Sequence, residues 1–215
     1  AFLTWDFPRM PWDGTDLWVA AIEADGSLGE PVHVAGGPTE SVTQPKWSAD
    51  GSLLYVSDVS DWWTLYHLRE GATGASEVAP MEAEIGGPQW VFGLSEWDID
   101  DDGTIVAFAH GPRGAKLLAL PPGEAPREIP FDEQDLAYAR VAGGTLTAIA
   151  GAFTRPSALV RIDLASGEGE RLRETSTLDV DPRYLSTPQH IAFPTSGGRT
   201  AYAWYYPPTN PEAVA

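Results

Sequence analysis

The stretch Gln44-Pro45-Lys46-Trp47-Ser48-Ala49-Asp50-Gly51-Ser52-Leu53-Leu54-Tyr55-Val56-Ser57-Asp58 decides the fold. An Asp-Gly turn separates a Trp-Ser strand from an apolar run, and Asp-Gly suits the tight reversal of a hairpin. The arrangement returns from Trp97 to Phe108 around Asp102-Gly103. A degenerate copy runs from Tyr138 to Ile149 around Gly143-Gly144. Successive turns, counted from Asp50, Asp102 and Gly143, lie 52 and 41 residues apart. Strand-built repeats of about 40–50 residues mark the blades of a β-propeller, whereas solenoid repeats of that length are helical. No window of a dozen residues keeps an apolar 3.6-residue period free of Gly or Pro. Instead, 22 Gly and 19 Pro punctuate short β-rich runs.

A partial first blade is expected from Phe2–Phe7, Leu17–Ile22 and Pro31–Ala35, with Asp25-Gly26 as the hairpin between its last two strands. The second blade uses Gln44–Trp47, Leu53–Ser57, Thr64–Leu68 and Ser76–Ala79. The third uses Trp90–Trp97, Thr104–Ala109, Lys116–Leu120 and Arg127–Pro130, and the fourth Leu136–Val141, Thr145–Ala150, Ala158–Asp163 and Glu170–Arg173. The pattern changes near Asp181-Pro182. Gln189–Pro194 and Thr200–Tyr206 flank Ser196-Gly197-Gly198-Arg199 as a strong hairpin, which Pro207-Pro208 ends because proline cannot donate to a ladder. This hairpin does not continue the repeat. The expected fold class is all-β, about four four-stranded blades over residues 1–180, followed over 181–215 by a linker and a hairpin that opens another domain.

Composition narrows the function. The 215 residues carry 13 basic and 31 acidic side chains, a net charge of −18. Such a surface repels nucleic acid and anionic lipid, and basic residues do not cluster among the aromatics. Cysteine is absent, so no disulfide, thiol nucleophile or cysteine-ligated zinc is available. No apolar run approaches the roughly 20 residues of a membrane span, and the N-terminus lacks the features of a signal peptide. A cytoplasmic location is expected. The chain opens on Ala1-Phe2-Leu3 in mid-strand rather than on Met, which is read as removal of upstream sequence.

Several segments together resemble the prolyl oligopeptidase family of serine peptidases, in its dipeptidyl-aminopeptidase and acylaminoacyl-peptidase branch. They are Leu3 to Trp18, Gln44 to Asp58, Asp61-Trp62-Trp63-Thr64-Leu65-Tyr66, Glu84 to Gly93, and Ile191-Ala192-Phe193-Pro194-Thr195 with Tyr205-Tyr206-Pro207-Pro208. The resemblance implies a propeller of seven or eight blades joined to an α/β-hydrolase domain. This chain would be the later blades plus the first hydrolase hairpin, with the early blades and the hydrolase domain as its missing partners. It further implies that the propeller gates access of short peptides and places acids near a substrate's free amino group. Candidates for that role are Asp6, Asp13 and Glu84, whose plainer reading is turn capping. Trp5, Trp12, Trp62, Trp63 and Trp90 are candidates to line a substrate passage, against the commoner role of packing between sheets.

No catalytic residue is expected in the chain itself. Gly74-Ala75-Ser76-Glu77-Val78 and Gly93-Leu94-Ser95-Glu96-Trp97 are half matches to a nucleophile elbow, each lacking the second Gly and a following helix. His33, His67, His110 and His190 each fall in or beside a predicted strand with no nucleophile signal. Asp98-Ile99-Asp100-Asp101-Asp102-Gly103 begins like a calcium loop, making Asp98, Asp100 and Asp102 alternative metal ligands, but Ala109 stands where the bidentate acid belongs. No phosphate loop, dinucleotide fingerprint or zinc-protease motif occurs, and no cofactor is expected. The leading expectation is the propeller part of a serine peptidase that hydrolyses short peptides. The alternatives are a non-catalytic propeller scaffold and a calcium-dependent binding module. About four blades leave sheet faces uncovered, so self-association is also expected.

Overall fold

The computed structural model describes residues 1–112 and 114–213. Among these residues, seventeen strands form five antiparallel sheets. The first holds β1 (Phe2–Thr4), β2 (Asp16–Val19) and β3 (Val32–Gly36). The second holds β4 (Val42–Trp47), β5 (Leu53–Ser57), β6 (Thr64–Leu68) and β7 (Ser76–Glu77). The third holds β8 (Trp97–Ile99), β9 (Ile105–Gly111), β10 (Gly114–Leu120) and β11 (Arg127–Ile129). The fourth holds β12 (Asp135–Ala142), β13 (Thr145–Ala152), β14 (Arg155–Asp163) and β15 (Gly169–Glu174). The last is a separate pair, β16 (Gln189–Pro194) and β17 (Thr200–Tyr205). Within each of the first four sheets the spatial order follows the chain order, so every connection is local.

The core explains why the sheets fan out. In β9, Ile105, Ala107 and Ala109 pack with Leu54, Val56 and Leu65 of the second sheet. The alternate residues Val106 and Phe108 pack with Leu146, Ala148 and Val160 of the fourth. Successive side chains of a strand point to opposite faces, so an uninterrupted apolar run means a sheet covered on both sides. Leu53 and Tyr55 repeat the device from β5 towards Leu17 of the first sheet. Consecutive sheets thus share apolar faces in series, and the result is four adjacent blades of a β-propeller. In the fourth blade only one face is covered, and Ile149 and Leu159 on the other are partly exposed.

Polar side chains staple the innermost strands. Lys46 on β4 donates to Asp98 Oδ1 at 2.8 Å, to Ser95 Oγ at 2.9 Å and to the Trp97 carbonyl at 2.5 Å. Its ammonium lies 4.5 Å from the centre of the Trp97 ring. Burial holds the Lys46 pKa below the ordinary range of lysine, and Asp98 opposes that shift. Asp98 reaches onward, its Oδ2 accepting the Val141 amide of β12 at 2.9 Å, while Asp100 Oδ2 accepts the Gly144 amide at 2.7 Å. One chain of contacts therefore ties three blades.

One expectation needs correction. The first strand of the third blade does not run from Trp90; it begins at Trp97. Gly93 sits at φ 83°, in the left-handed region that interrupts extended backbone, and Trp90, Val91 and Phe92 stand exposed in a loop. The inner strands β4 and β12 also carry bulges, between Thr43 and Lys46 and between Ala137 and Arg140. Gln44 (φ 52°) and Tyr138 (φ 58°) occupy them, a conformation uncommon for non-glycine residues.

The Lys46 staple makes a direct prediction. Both partners are mostly buried, with Lys46 22% and Asp98 15% exposed at the side chain. Lys46→Met leaves Asp98 without its cation and is expected to lower stability by about 1–3 kcal/mol, between the surface and buried limits for ion pairs. Urea unfolding measures this. Adding Asp98→Asn to Lys46→Met is expected to restore part of the loss, and strictly additive losses would show the two residues to be uncoupled.

Candidate functional site

Antiparallel strands send alternate turns to opposite ends of each blade. The turns after β4, β8 and β12 lie at one end, and those after β5 and β13, with the links between blades, lie at the other. The terminal hairpin marks this second end. Phe153, in the β13–β14 turn, packs its ring 4.7 Å from that of Trp204 on β17 and 6.1 Å from that of Tyr206. Ser186 Oγ donates to the Pro207 carbonyl at 2.6 Å and closes the base of the hairpin. Every residue of β16 is exposed.

The aromatic loops gather on this same face. Trp12, in the loop after β1, packs against Trp90 in the link before β8, with ring centres 4.3 Å apart. Trp5 lies 6.3 Å from Phe92 between the same two segments. Trp90 is 73% and Phe92 80% exposed, so the pairs stand above the blade core rather than within it. Trp62 and Trp63 occupy the β5–β6 loop, both half-buried, and Trp63 leans on the core between the second and third blades. The one fully buried tryptophan named in the core is Trp97.

The three candidate acids differ. Asp13 Oδ2 accepts the Met10 amide at 2.9 Å and so caps its own loop. Glu84 Oε2 accepts the Trp63 amide at 2.6 Å, while its backbone exchanges two hydrogen bonds with His110 at 2.9 and 2.8 Å. Glu84 therefore fixes the Trp62-Trp63 loop against the third blade. Asp6 is 92% exposed at the side chain and lies 3.7 Å from Arg9. The structure brings Trp12 to Trp90 and Glu84 to Trp63, and leaves Asp6 exposed at the loop tip beside Arg9.

The remaining candidates have structural tasks. Ser95 is buried, and its hydroxyl donates to the Trp97 carbonyl at 2.6 Å and accepts from Lys46. Asp98, Asp100 and Asp102 do not converge. They accept from Lys46 and Val141, from Asp101 and Gly144, and from Thr104, respectively. Among the described residues no three metal-ligating side chains lie together, and no helix is long and apolar enough to cross a membrane. His33 pairs with Asp16 at 2.9 Å, and His190 stacks on Tyr202 with ring centres 5.5 Å apart. The sequence reading missed Phe92, Gln89 and Thr43, which meet Trp5 and Trp63 around one cavity.

No family model and no curated relative matches the chain. Solved structures do. A puromycin-hydrolysing peptidase of Mycobacterium tuberculosis is 32% identical over 99% of this chain, with a TM-score of 0.90. A puromycin hydrolase is 30% identical over 98% of the chain, with a TM-score of 0.86. Prolyl oligopeptidase B from Galerina marginata shares the fold over 90% of the chain at 12% identity, with a TM-score of 0.67. The chain is similar in sequence and fold to the puromycin-hydrolysing peptidases, and in fold to the prolyl oligopeptidases. It spans about a third of the puromycin-hydrolysing structures, 32% of each, and 28% of the oligopeptidase. The propeller blades carry the aromatic loops at the same end as the hairpin, which packs on Phe153.

The acids also set a pH dependence. Burial pushes the Glu84 carboxyl above its usual 4.5, with Asp58 adding to the effect and the Trp63 amide opposing it. Burial likewise raises Glu96, whose Oε2 accepts Gln44 Nε2 at 2.8 Å. Between pH 4.5 and the raised values, the folded chain holds protons that the unfolded chain has released. Stability contributed by these groups therefore falls as pH rises through that window. The Glu84→Gln/Glu96→Gln double variant keeps both acceptors and is expected to flatten the decline. Thermal melts across the acid-to-neutral range measure it, and a slope unchanged from wild type would contradict the assignment.

Proposed function

We propose that this chain is the gating part of a serine peptidase that cleaves short peptides and aminoacyl amides of the puromycin type. The observation that carries this reading is 32% identity across 99% of the chain to a puromycin-hydrolysing peptidase. The aromatic loops support it, because they form a passage-like face on the side where the hairpin docks. In this reading residues 1–180 are propeller and 181–215 open the α/β-hydrolase domain. The rest of that domain and the remaining blades are this chain's partners, in a cytoplasmic protein. The exposed β16 strand is the surface on which the hydrolase domain continues.

Hydrolysis adds water across the amide, breaking the C–N bond to leave a carboxylate and an amine. The serine, histidine and aspartate for acyl transfer belong to the hydrolase domain. The propeller's task is to admit the substrate and hold its free ammonium. Asp6, next to Trp5 in the chain, exposed and sharing its carboxylate with Arg9 at 3.7 Å, is the acid best placed to receive that charge.

The parent gene is expected to encode a Gly-x-Ser-x-Gly elbow after Ala215, and its absence would remove the proposal. The full-length parent is expected to release the aryl amino acid from puromycin, and the 215-residue chain alone to release none. Asp6→Asn in the parent is expected to raise KM about three- to tenfold for substrates with a free amino group, as befits one exposed charge-assisted hydrogen bond. N-acylated substrates serve as the comparison and should be unaffected. Equal changes for both would assign Asp6 to its loop alone.

A further inference from the structure

The link over residues 86–94 is fixed at both feet and loosely held between them. At the first foot, Glu84 Oε2 accepts the Trp63 amide, the Glu84 backbone exchanges two hydrogen bonds with His110, and the Ile85 amide donates to the Trp63 carbonyl at 2.6 Å. Ile85 is fully buried. At the second foot, buried Ser95 accepts from Lys46 Nζ at 2.9 Å. Its carbonyl accepts the Ala139 amide at 2.9 Å, and the Glu96 carbonyl accepts the Phe108 amide at 2.8 Å. Among the described residues, the one hydrogen bond made by residues 87–94 is internal, from the Trp90 amide to the Pro88 carbonyl at 3.1 Å. Their aromatic contacts with the body are two ring pairs, Trp12–Trp90 and Trp5–Phe92, made with the loop after β1. The glycines mark the change from foot to span. A Cβ on Gly86 would lie 3.0 Å from Val56 Cγ1 and 3.3 Å from Gln44 Nε2, so Gly86 is packed into the first foot. A Cβ on Gly87 or Gly93 would meet nothing within 4 Å, and Gly93 lies in the left-handed region that favours glycine. Two glycines in open space thus flank Pro88-Gln89-Trp90-Val91-Phe92, where a change of backbone angle is easily absorbed.

We propose that residues 87–93 form a hinged lid that reaches over the second blade and is held shut by the Trp12–Trp90 and Trp5–Phe92 ring pairs. Its feet stand on the second and third blades, and its rings rest on a loop of the first, so opening it parts the two sides of the aromatic face. A ring pair adds only modestly to burial, so thermal motion opens such a lid while the blades stay folded. Its use as a gate for substrate rests on the peptidase reading above; the opening itself does not. The rivals are a loop that melts only with the blades and a fixed contact surface for the rest of the parent.

The test uses the 215-residue chain and the full-length parent. Two indoles with ring centres 4.3 Å apart give an exciton band in circular dichroism, read as the difference between wild type and Trp12→Leu, and this band reports the closed lid. On warming, it is expected to fade below the melting temperature of the blades. Chymotrypsin cleavage after Trp90 or Phe92 follows the open population when opening is fast. Trp12→Leu is expected to speed that cleavage about two- to tenfold, the worth of one aromatic pair, and Gly87→Ala to slow it about two- to fivefold by restricting the open state. In the parent, Trp12→Leu is expected to raise kcat/KM for a longer peptide about threefold or more relative to puromycin, as loss of a gate would. An exciton band that disappears only with the blades, or cleavage untouched by both variants, overturns the lid. So does a parent that resists cleavage at these residues with or without Trp12, which would make them a fixed surface under its remaining domain. Equal kinetic effects on both substrates overturn the gate. A parent that leaves puromycin intact, with band and cleavage as expected, sinks the peptidase reading and leaves the lid.

Discussion

A β-sheet has two faces, and in the middle blades of this molecule both carry side chains that must leave water. That constraint organises everything else. Ile105-Val106-Ala107-Phe108-Ala109 is buried along its whole length, odd residues towards one neighbour and even residues towards the other. Neither side can be exposed without losing apolar burial worth roughly 25 cal/mol per Å². Each blade is therefore held by the blades before and after it, and the loops at one end of the stack inherit fixed positions. Trp12 meets Trp90 and Trp5 meets Phe92 because their blades are already in register.

The polar groups between the blades follow from the same packing. Lys46, Asp98 and Asp100 lie where neighbouring inner strands converge, so their charges meet partners rather than bulk water. The desolvation they suffer shows in the lowered Lys46 pKa and in the raised pKa of nearby Glu96. The Asp98–Asp102 run, which resembles half a calcium loop when read alone, is explained by these contacts and by the Asp102 cap on Thr104.

Much of the architecture was legible in the chain. The Asp-Gly turns fixed the repeat, and the β5, β6 and β16 strands fall where the β-rich runs between turn residues put them. The start of the third blade was not legible, because Trp90-Val91-Phe92 reads as a strand by composition and only the left-handed Gly93 makes it a loop. The bulges at Gln44 and Tyr138 were also hidden, since neither residue type advertises positive φ as glycine does. At the site, the tryptophans were recognised by type, but their pairing depends on contacts across 78 residues of chain, from Trp12 to Trp90. Glu84 was a candidate substrate acid whose plainer reading was turn capping, and its carboxylate accepts the Trp63 amide across 21 residues of chain.

Among the described residues no strand ladder joins one blade to the next. Every register pairing lies inside a single sheet, whereas the seams hold by apolar contact and by scattered bonds such as Ala139 N–H to the Ser95 carbonyl at 2.9 Å. Stiffness is therefore anisotropic. Shear within a blade must break a row of hydrogen bonds together, while a small rotation of one blade against another disturbs side chains one at a time. The molecule resembles a folding screen, with rigid panels and compliant joints, and the elastic freedom nearest the aromatic face resides in its joints.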